Sequence, residues 1–215
     1  MEHGIITPED APVAYLRERD YRLRLLIEHV GAITCFVSES GFANLAHSII
    51  EQMLSTKVAA TMEQRLRALC GGQITPETLG ALAVEDIRSI GVSQRKAESL
   101  AALAARVSEE DIAALADMSD DEVMAWLTAL PGIGEWTAHM FMLFSLQRDD
   151  ILPTSDLTFR RAFAWLYGTG VEEAGVRTAV CELWHPYSSY AARYLYVALD
   201  DGLVQAAPAA QLLGF

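Results

Sequence analysis

The stretch that decides the fold reads MAWLTALPGIGEWTAHM over residues 124–140 and continues as LPTSDLTFRR over residues 152–161. Ser119 and Glu122 have the spacing of a capping box, which predicts a helix that begins just after Ser119. Apolar residues recur along this helix at helical spacing, and Pro131 ends it because proline donates no backbone hydrogen bond. A second helix is predicted to start directly after the turn.

The turn between these helices contains Gly132 and Gly134, which permit positive φ and the close approach of another backbone. A tight glycine turn at a helix N-terminus presents backbone N–H groups and a positive dipole end. This arrangement suits a phosphate group. The alternative interpretation is an ordinary turn between two helices.

Composition places the chain among globular proteins. Its 215 residues are 52% hydrophobic and 21% charged, enough for one large domain or two small lobes. No apolar run is long enough to cross a membrane, and the N-terminus lacks the pattern of a signal peptide. Cys35, Cys70 and Cys181 are too far apart to suggest a disulfide framework or a zinc knuckle. We therefore expect a cytoplasmic protein.

The formal net charge of −13 argues against binding to DNA by charge alone. Lys57 and Lys96 are the only lysines, and the other 14 basic residues are arginines. If the chain binds DNA, it must use a local basic patch together with backbone N–H groups.

Helical periodicity and helix caps recur along the whole chain, and no segment shows convincing alternation, so the predicted fold class is all-α. Residues 1–11 are expected to form a flexible tail. Helices are predicted over Pro12–Gly31, Phe42–Ser55, 58–70, Val84–Ile90, Ser93–Arg106, Asp156–Tyr167, Glu172–Trp184 and Ser188–Asp200, with short helices at Asp111–Ala116 and beginning at Pro76.

Four ordered motifs resemble those of one protein superfamily, the helix-hairpin-helix (HhH-GPD) DNA glycosylases, and within it the AlkA-type 3-methyladenine DNA glycosylases II. The hairpin motif and the Pro-x-x-Asp-Leu-x-x-Arg-Arg segment that follows it carry the strongest likeness. The others read SIIEQMLSTK at 48–57, IGVSQRKAESL at 90–100 and WHPYSSYA at 184–191. The resemblance extends over residues 14–202.

The resemblance implies two helical lobes with an active-site cleft between them. Residues 12–215 would form the glycosylase domain, with lobe one at about 32–147 and lobe two at about 12–31 plus 148–215. Fewer than 20 residues precede the first predicted helix, so we expect the N-terminal β domain of longer relatives to be lacking.

The function implied is that of a monofunctional DNA glycosylase of base excision repair. Such an enzyme flips an alkylated purine out of double-stranded DNA and hydrolyses its N-glycosidic bond, leaving an abasic site. The substrates implied are 3-methyladenine and 7-methylguanine, with no cofactor and a monomeric enzyme. Two alternatives stay open: a glycosylase of the same superfamily for another damaged base, and a non-catalytic helix-hairpin-helix damage sensor. Only Cys181 lies in the C-terminal third, which disfavours the iron–sulfur branch of the superfamily.

Asp156 is the catalytic residue that the resemblance implies. Hydrolysis of an N-glycosidic bond builds positive charge on the sugar, and an ionised carboxylate stabilises that charge and orients the attacking water. The alternative is that Ser155 or Asp156 only caps the following helix, since both residue types are favoured N-caps.

Base-pocket positions of the family correspond to Trp136, Tyr196, Met140 and Leu157. A flipped base must stack on a side chain, and an electron-rich ring attracts a cationic methylated purine. Core packing is the alternative for all of these residues, and it is the preferred one for Met140 and Leu157. Trp136 also occupies the position where strand-cutting relatives carry a nucleophilic lysine, which predicts a monofunctional enzyme.

DNA contacts are implied for the wedge segment, the hairpin and several basic side chains. Either Gln52 or Met53 would enter the gap left by the flipped base, while Glu51 replaces the usual glycine. The predicted contacts are Gln52, Met53, Ser55, Lys57, Lys96, Pro131, Gly132, Ile133, Gly134, Thr137, Arg160 and Arg161. No metal is expected on side chains, although relatives bind a monovalent cation at hairpin carbonyls, here near Leu130 and Ile133.

Overall fold

The computed structural model describes residues 2–37, 41–172, 176 and 182–215. Most of the predicted helix 172–184, including Cys181, lies outside the described residues. The chain divides into two compact units, and we call residues 1–37 with 147–215 unit 1 and residues 38–146 unit 2. Residues 32–37, predicted to belong to lobe one, are part of unit 1.

Unit 1 contains two strands and six of the helices that we label. Strands β1 (Glu2–Ile6) and β2 (Ile33–Val37) pair antiparallel, with Gly4 opposite Cys35. The prediction of a flexible tail over residues 1–11 is therefore wrong for β1, and the expectation of no strand is wrong for both segments. The helices are α1 (Ala11–Arg19), α2 (Tyr21–Val30), α11 (Leu157–Tyr167), α12 (Ser188–Asp200), α13 (Leu203–Ala206) and α14 (Ala209–Leu213).

The single helix predicted over Pro12–Gly31 is two helices, because Asp20 interrupts it with extended backbone angles. The Asp20 side chain is buried and accepts hydrogen bonds from Leu23 N at 3.0 Å, from Trp184 Nε1 at 2.9 Å and from the Tyr167 hydroxyl. Burial, followed by the Asp20 carboxylate, raises the pKa of Tyr167 well above its usual range. Three segments of unit 1 therefore meet at one satisfied carboxylate.

Unit 2 is built around α3 (Gly41–Glu51), an apolar helix with seven buried residues. The remaining helices are α4 (Thr56–Leu69), α5 (Pro76–Gly80), α6 (Val84–Ser89), α7 (Gln94–Arg106), α8 (Glu109–Ala114), α9 (Asp120–Thr128) and α10 (Glu135–Met140). The neighbours of α3 are α4, α7, α8, α10 and a π-helical segment at Phe141–Ser145 that continues α10.

The predicted capping box of Ser119 and Glu122 is present and starts α9. Thr75 and Thr78 form a second capping box, which starts α5 with Pro76 as the first helical residue. With helices over most of the described chain and a single two-stranded sheet within it, the predicted all-α class is confirmed. Within the described ranges, no helix combines the length and apolar character that a membrane span requires.

Candidate active site and DNA-binding elements

Asp156 of unit 1 stands at the N-cap of α11 and is 7% exposed. Its Oδ1 accepts a hydrogen bond from Thr158 N at 2.8 Å. The capping interpretation of Asp156 is therefore correct, and it is compatible with a catalytic one. The carboxylate lies at the positive dipole end of α11, where a backbone N–H donor also holds it.

Tyr196 of α12 holds the second oxygen of the same carboxylate. Its hydroxyl donates to Asp156 Oδ2 at 2.6 Å, and its half-buried ring lies 6.2 Å from the ring of Phe159. The sequence predicted Tyr196 as a base-pocket aromatic and gave no sign of this hydrogen bond. With Oδ1 bound to α11 and Oδ2 bound to α12, the orientation of the carboxylate is fixed by two helices.

The start of α12 is fixed by Asp149 and Asp150, which the sequence analysis did not single out. Asp150 Oδ1 accepts from Ser188 N at 3.1 Å and from Ser188 Oγ at 2.6 Å, and its Oδ2 contacts His185 Nδ1. Asp149 Oδ1 accepts from the Tyr190 hydroxyl at 3.1 Å. Burial, with help from the Asp149 charge, raises the pKa of Tyr190 to about 12. These contacts position the helix that carries Tyr196.

Among the residues of α11, Leu157 was predicted to contact the substrate base, and Arg160 and Arg161 were predicted to contact DNA. Leu157 is 44% exposed, so the preferred interpretation of Leu157 as a core residue is wrong. Arg161 is exposed. Arg160 is half-buried, and its Nε has no hydrogen-bond partner within the described part of the chain.

The hairpin of unit 2 lies between α9 and α10. Gly132 adopts the expected positive φ of 82°, and a Cβ there would lie 2.2 Å from Ser99 Oγ, so only glycine fits. Gly134, the N-cap of α10, has an extended backbone with φ of −101°, so it does not use the positive φ that glycine permits. Ile133 is buried, and its N–H donates to Leu130 O at 3.2 Å.

The first turn of α10 begins at Gly134 and supplies the N–H groups that could face a phosphate. The Leu130 carbonyl accepts from Ile133, and the Gly132 carbonyl accepts from Gln52. Each carbonyl oxygen has a second lone pair, so the turn retains acceptors that suit a monovalent cation. In the part of the chain that the structure describes, no three His, Cys, Asp or Glu side chains converge as metal ligands.

The remaining predicted residues of α10 differ in exposure. Trp136 is half-buried, while Met140 is 8% exposed, which agrees with the core interpretation of Met140. Thr137 was expected to contact DNA. It is 2% exposed, and its Oγ1 accepts a hydrogen bond from Gln52 Nε2 at 3.0 Å. The Thr137 side chain therefore serves the interior of unit 2.

The two wedge candidates, Gln52 and Met53, lie directly after α3 and differ in their surroundings. The Gln52 side chain is bound to the hairpin, whereas Met53 is fully exposed and has a positive φ of 59°. Ser55 and Lys57 at the start of α4 are exposed, and Ser55 makes no side-chain cap bond. Lys96 was predicted to contact a phosphate, but its Nζ donates to the backbone carbonyls of Ile50, in α3, and of Gln52.

A family model described as "HhH-GPD superfamily base excision DNA repair protein" matches residues 46–186. DNA-3-methyladenine glycosylase 1 of Schizosaccharomyces pombe is 29% identical over 167 residues, which are 75% of this chain and 73% of that protein. DNA-3-methyladenine glycosylase 2 of Escherichia coli is 27% identical over 165 residues, 72% of this chain and 56% of that protein.

Solved structures give the same relationship. The crystal structure of a DNA-3-methyladenine glycosidase from Bacillus halodurans superposes with a TM-score of 0.84 at 32% identity and covers 100% of both chains. The S. pombe 3-methyladenine DNA glycosylase in complex with abasic DNA gives a TM-score of 0.78 at 28% identity, covering 87% of this chain and 95% of that one.

Proposed function

The chain belongs to the HhH-GPD superfamily of base excision DNA repair proteins, and we propose that it is a monofunctional DNA glycosylase for alkylated purines. The proposed substrates are 3-methyladenine and 7-methylguanine in double-stranded DNA. The products of the reaction are the free base and DNA with an abasic site. The observation that carries the proposal is the Asp156 carboxylate, held at the N-terminus of α11 by one backbone and one tyrosine donor.

The proposed reaction needs a fixed negative charge more than a proton donor. A purine methylated at a ring nitrogen carries positive charge, so it leaves as a neutral base with the electrons of the N-glycosidic bond. The sugar then acquires oxocarbenium character, which the Asp156 carboxylate stabilises. Water adds to the anomeric carbon and loses its proton, with Asp156 orienting the water molecule or accepting that proton.

DNA binding is proposed to combine backbone groups with a few side chains. The N–H groups at the start of α10, together with Arg160, Arg161, Ser55 and Lys57, are assigned to phosphates. Met53 is assigned as the wedge because it is apolar and fully exposed. Trp136 is assigned to the extruded base by stacking. A monovalent cation at the hairpin carbonyls would add positive charge beside the phosphate.

Water is the proposed nucleophile, because Trp136 has no amine and the ammonium of Lys96 is bound to backbone carbonyls. The enzyme is proposed to act as a monomer.

Base release from methylated DNA tests the proposal. We expect release of 3-methyladenine and 7-methylguanine, with 1-methyladenine measured alongside to define the range. Strands should stay intact until alkali is added, and borohydride should trap no enzyme–DNA adduct. Release of oxidised or mismatched bases alone would favour the other glycosylase alternative, and tight binding to damaged DNA without release would favour a damage sensor. A trapped adduct that disappears on mutation of one lysine would overturn the monofunctional mechanism.

A further inference from the structure

The backbone after α3 is strained where it presents Met53. Leu54 N–H donates to Glu51 O at 2.9 Å, which closes a four-residue turn with Met53 in third place. The φ of 59° at Met53 corresponds to the type II pattern, which favours glycine or asparagine at that place. A methionine kept in this conformation must be held there by its surroundings.

Lys96 of α7 supplies one hold on this turn. Its Nζ donates to Ile50 O at 2.7 Å and to Gln52 O at 2.5 Å. The Gln52 carbonyl belongs to the central peptide of the turn, and type I and type II turns differ by a flip of that peptide. An ammonium group on this oxygen therefore favours the type II form and, with it, the positive φ of Met53. Burial lowers the pKa of Lys96.

The Gln52 side chain supplies the second hold, from the hairpin. Its Nε2 donates to Gly132 O at 2.8 Å and to Thr137 Oγ1 at 3.0 Å. Both acceptors are rigid, because Thr137 is buried and Gly132 packs directly against Ser99. The turn is thus tied to the segment whose N–H groups are assigned to a phosphate.

These contacts leave the Met53 side chain exposed, directly after a residue whose backbone carbonyl and side chain are both held. An apolar wedge that is ordered before it meets DNA loses less conformational freedom when it enters a base step. The groove beside it has a volume of about 470 Å³ and is lined by Met53, Met62, Val92, Ser93 and Lys96, among others. The contacts give Gln52 and Lys96 a role different from the DNA contacts that the sequence suggests.

We propose that Lys96 and Gln52 are positioning residues that hold Met53 in the conformation that enters DNA, and that Gln52 couples this wedge to the hairpin. The inference rests on the proposed function, in which Met53 fills the gap left by an extruded base. It removes Lys96 from the set of phosphate contacts and Gln52 from the pair of wedge candidates.

Substitution of the two lysines separates a positioning role from a phosphate contact. Lys96→Met removes the donors but keeps the aliphatic stem, and Lys57→Met removes the same charge from the exposed start of α4. The probe is duplex DNA with an abasic analogue and an adjacent 2-aminopurine, whose fluorescence rises when the base step is opened. Binding is titrated at several salt concentrations, and circular dichroism confirms that each variant is folded.

We expect Lys96→Met to lower the fluorescence gain of the saturated complex and to slow base release about tenfold, with an unchanged slope of log K against log salt. Lys57→Met should reduce that slope by about 0.9, the value for one phosphate, and keep the fluorescence gain. Gln52→Leu, a second variant with Lys96 intact, should also lower the gain without changing the slope.

A double-mutant comparison tests whether Lys96 acts through Met53. In a Met53→Gly background, Lys96→Met should cause no further loss of fluorescence gain or base release. Additive losses would overturn the proposal, as would a reduced salt slope with a normal gain for Lys96→Met. Because the probe contains no base to excise, the fluorescence result stands even if the wild-type protein releases no base, an outcome that would overturn the proposed function instead.

Discussion

At the scale of single residues, Asp156 serves α11 and the proposed chemistry with the same carboxylate. Its Oδ1 caps the helix through Thr158 N, and its Oδ2 is held by the Tyr196 hydroxyl. Both roles need an acceptor oxygen held in a fixed direction at a helix N-terminus, where the helix dipole also interacts favourably with negative charge.

Tyr196→Phe separates the hydroxyl of Tyr196 from its ring. Phenylalanine keeps an aromatic wall for a base but leaves Asp156 Oδ2 without its donor, so we expect kcat to fall about tenfold to a hundredfold, the range for a hydrogen bond to a charged group. KM for damaged DNA should stay near the wild-type value. Steady-state kinetics of base release measure both constants.

Two outcomes would contradict this role of Tyr196. A wild-type kcat in Tyr196→Phe would show that the hydroxyl does not matter, and a rise in KM alone would return Tyr196 to the base pocket. As a control, the substitution should cause no further loss in an Asp156→Asn background, since the hydroxyl acts through that carboxylate.

The hairpin was predictable from a local signal, two glycines after a proline, whereas Asp156 was implied by the resemblance of the segment that follows the hairpin. The sequence did not show the partners of Tyr196 or Lys96. Those contacts join residues 40 and more positions apart, and a tyrosine or lysine on a helix has the same appearance whether its polar end meets solvent or a protein acceptor.

At the scale of helices and strands, α3 and α4 are joined by an ion pair. His47 Nδ1 lies 2.9 Å from Glu63 Oε2, and Arg67 Nη2 lies 2.9 Å from the other Glu63 oxygen. Contact with Glu63 raises the pKa of His47 above 6.5, against the opposing effect of burial. Contact with His47 lowers the pKa of Glu63 below 4.5.

The pair should make stability depend on pH. The contribution of His47 is complete below pH 6.5 and is lost as pH rises through its raised pKa. That of Glu63 is complete above pH 4.5 and is lost as pH falls through its lowered pKa. His47→Gln should therefore cost about 0.5–1 kcal/mol between these values and progressively less at higher pH.

Thermal unfolding of wild type and His47→Gln from pH 4 to pH 9 measures this effect. His29→Gln, on the exposed side of α2, is the matched control and should shift Tm little at any pH. An equal loss of Tm for His47→Gln at pH 5.5 and pH 9 would show that the ion pair does not contribute and that packing alone is affected.

Most helices were predictable from caps and periodicity, and the exceptions have physical causes. The predicted helix over Pro12–Gly31 breaks at Asp20 because Tyr167 and Trp184, distant in sequence, need its carboxylate. Strand β1 was missed because β1 and β2 pair across α1 and α2, and a two-stranded sheet of five residues each has little local signal.

At the scale of the whole molecule, the net charge of −13 limits how DNA can be bound. Seven carboxylates lie between residues 109 and 122, and no lysine or arginine occurs from residue 107 to residue 147, which includes the hairpin. The proposed phosphate contact of the hairpin is therefore assigned to backbone N–H groups. These groups carry no formal charge, so they displace few counterions from DNA.

The affinity for DNA should accordingly depend weakly on salt. We expect the slope of log K against log salt to correspond to about 2–4 phosphates. Fluorescence anisotropy of an abasic duplex between 50 and 300 mM salt, roughly the span over which strongly electrostatic binders lose several decades, gives this slope. A slope equivalent to six or more phosphates would mean that the basic surface is larger than the structure indicates.

The catalytic role of the Asp156 carboxylate is tested by Asp156→Asn, assayed for base release and for DNA binding in the same preparation. The amide keeps the size of the carboxylate and loses its charge, so the substitution removes the stabilisation of the oxocarbenium-like state. We predict that 3-methyladenine release falls by at least about a thousandfold while Kd for an abasic duplex changes less than about threefold. Release within a few-fold of the wild-type rate would contradict this prediction and leave Asp156 as a helix cap alone.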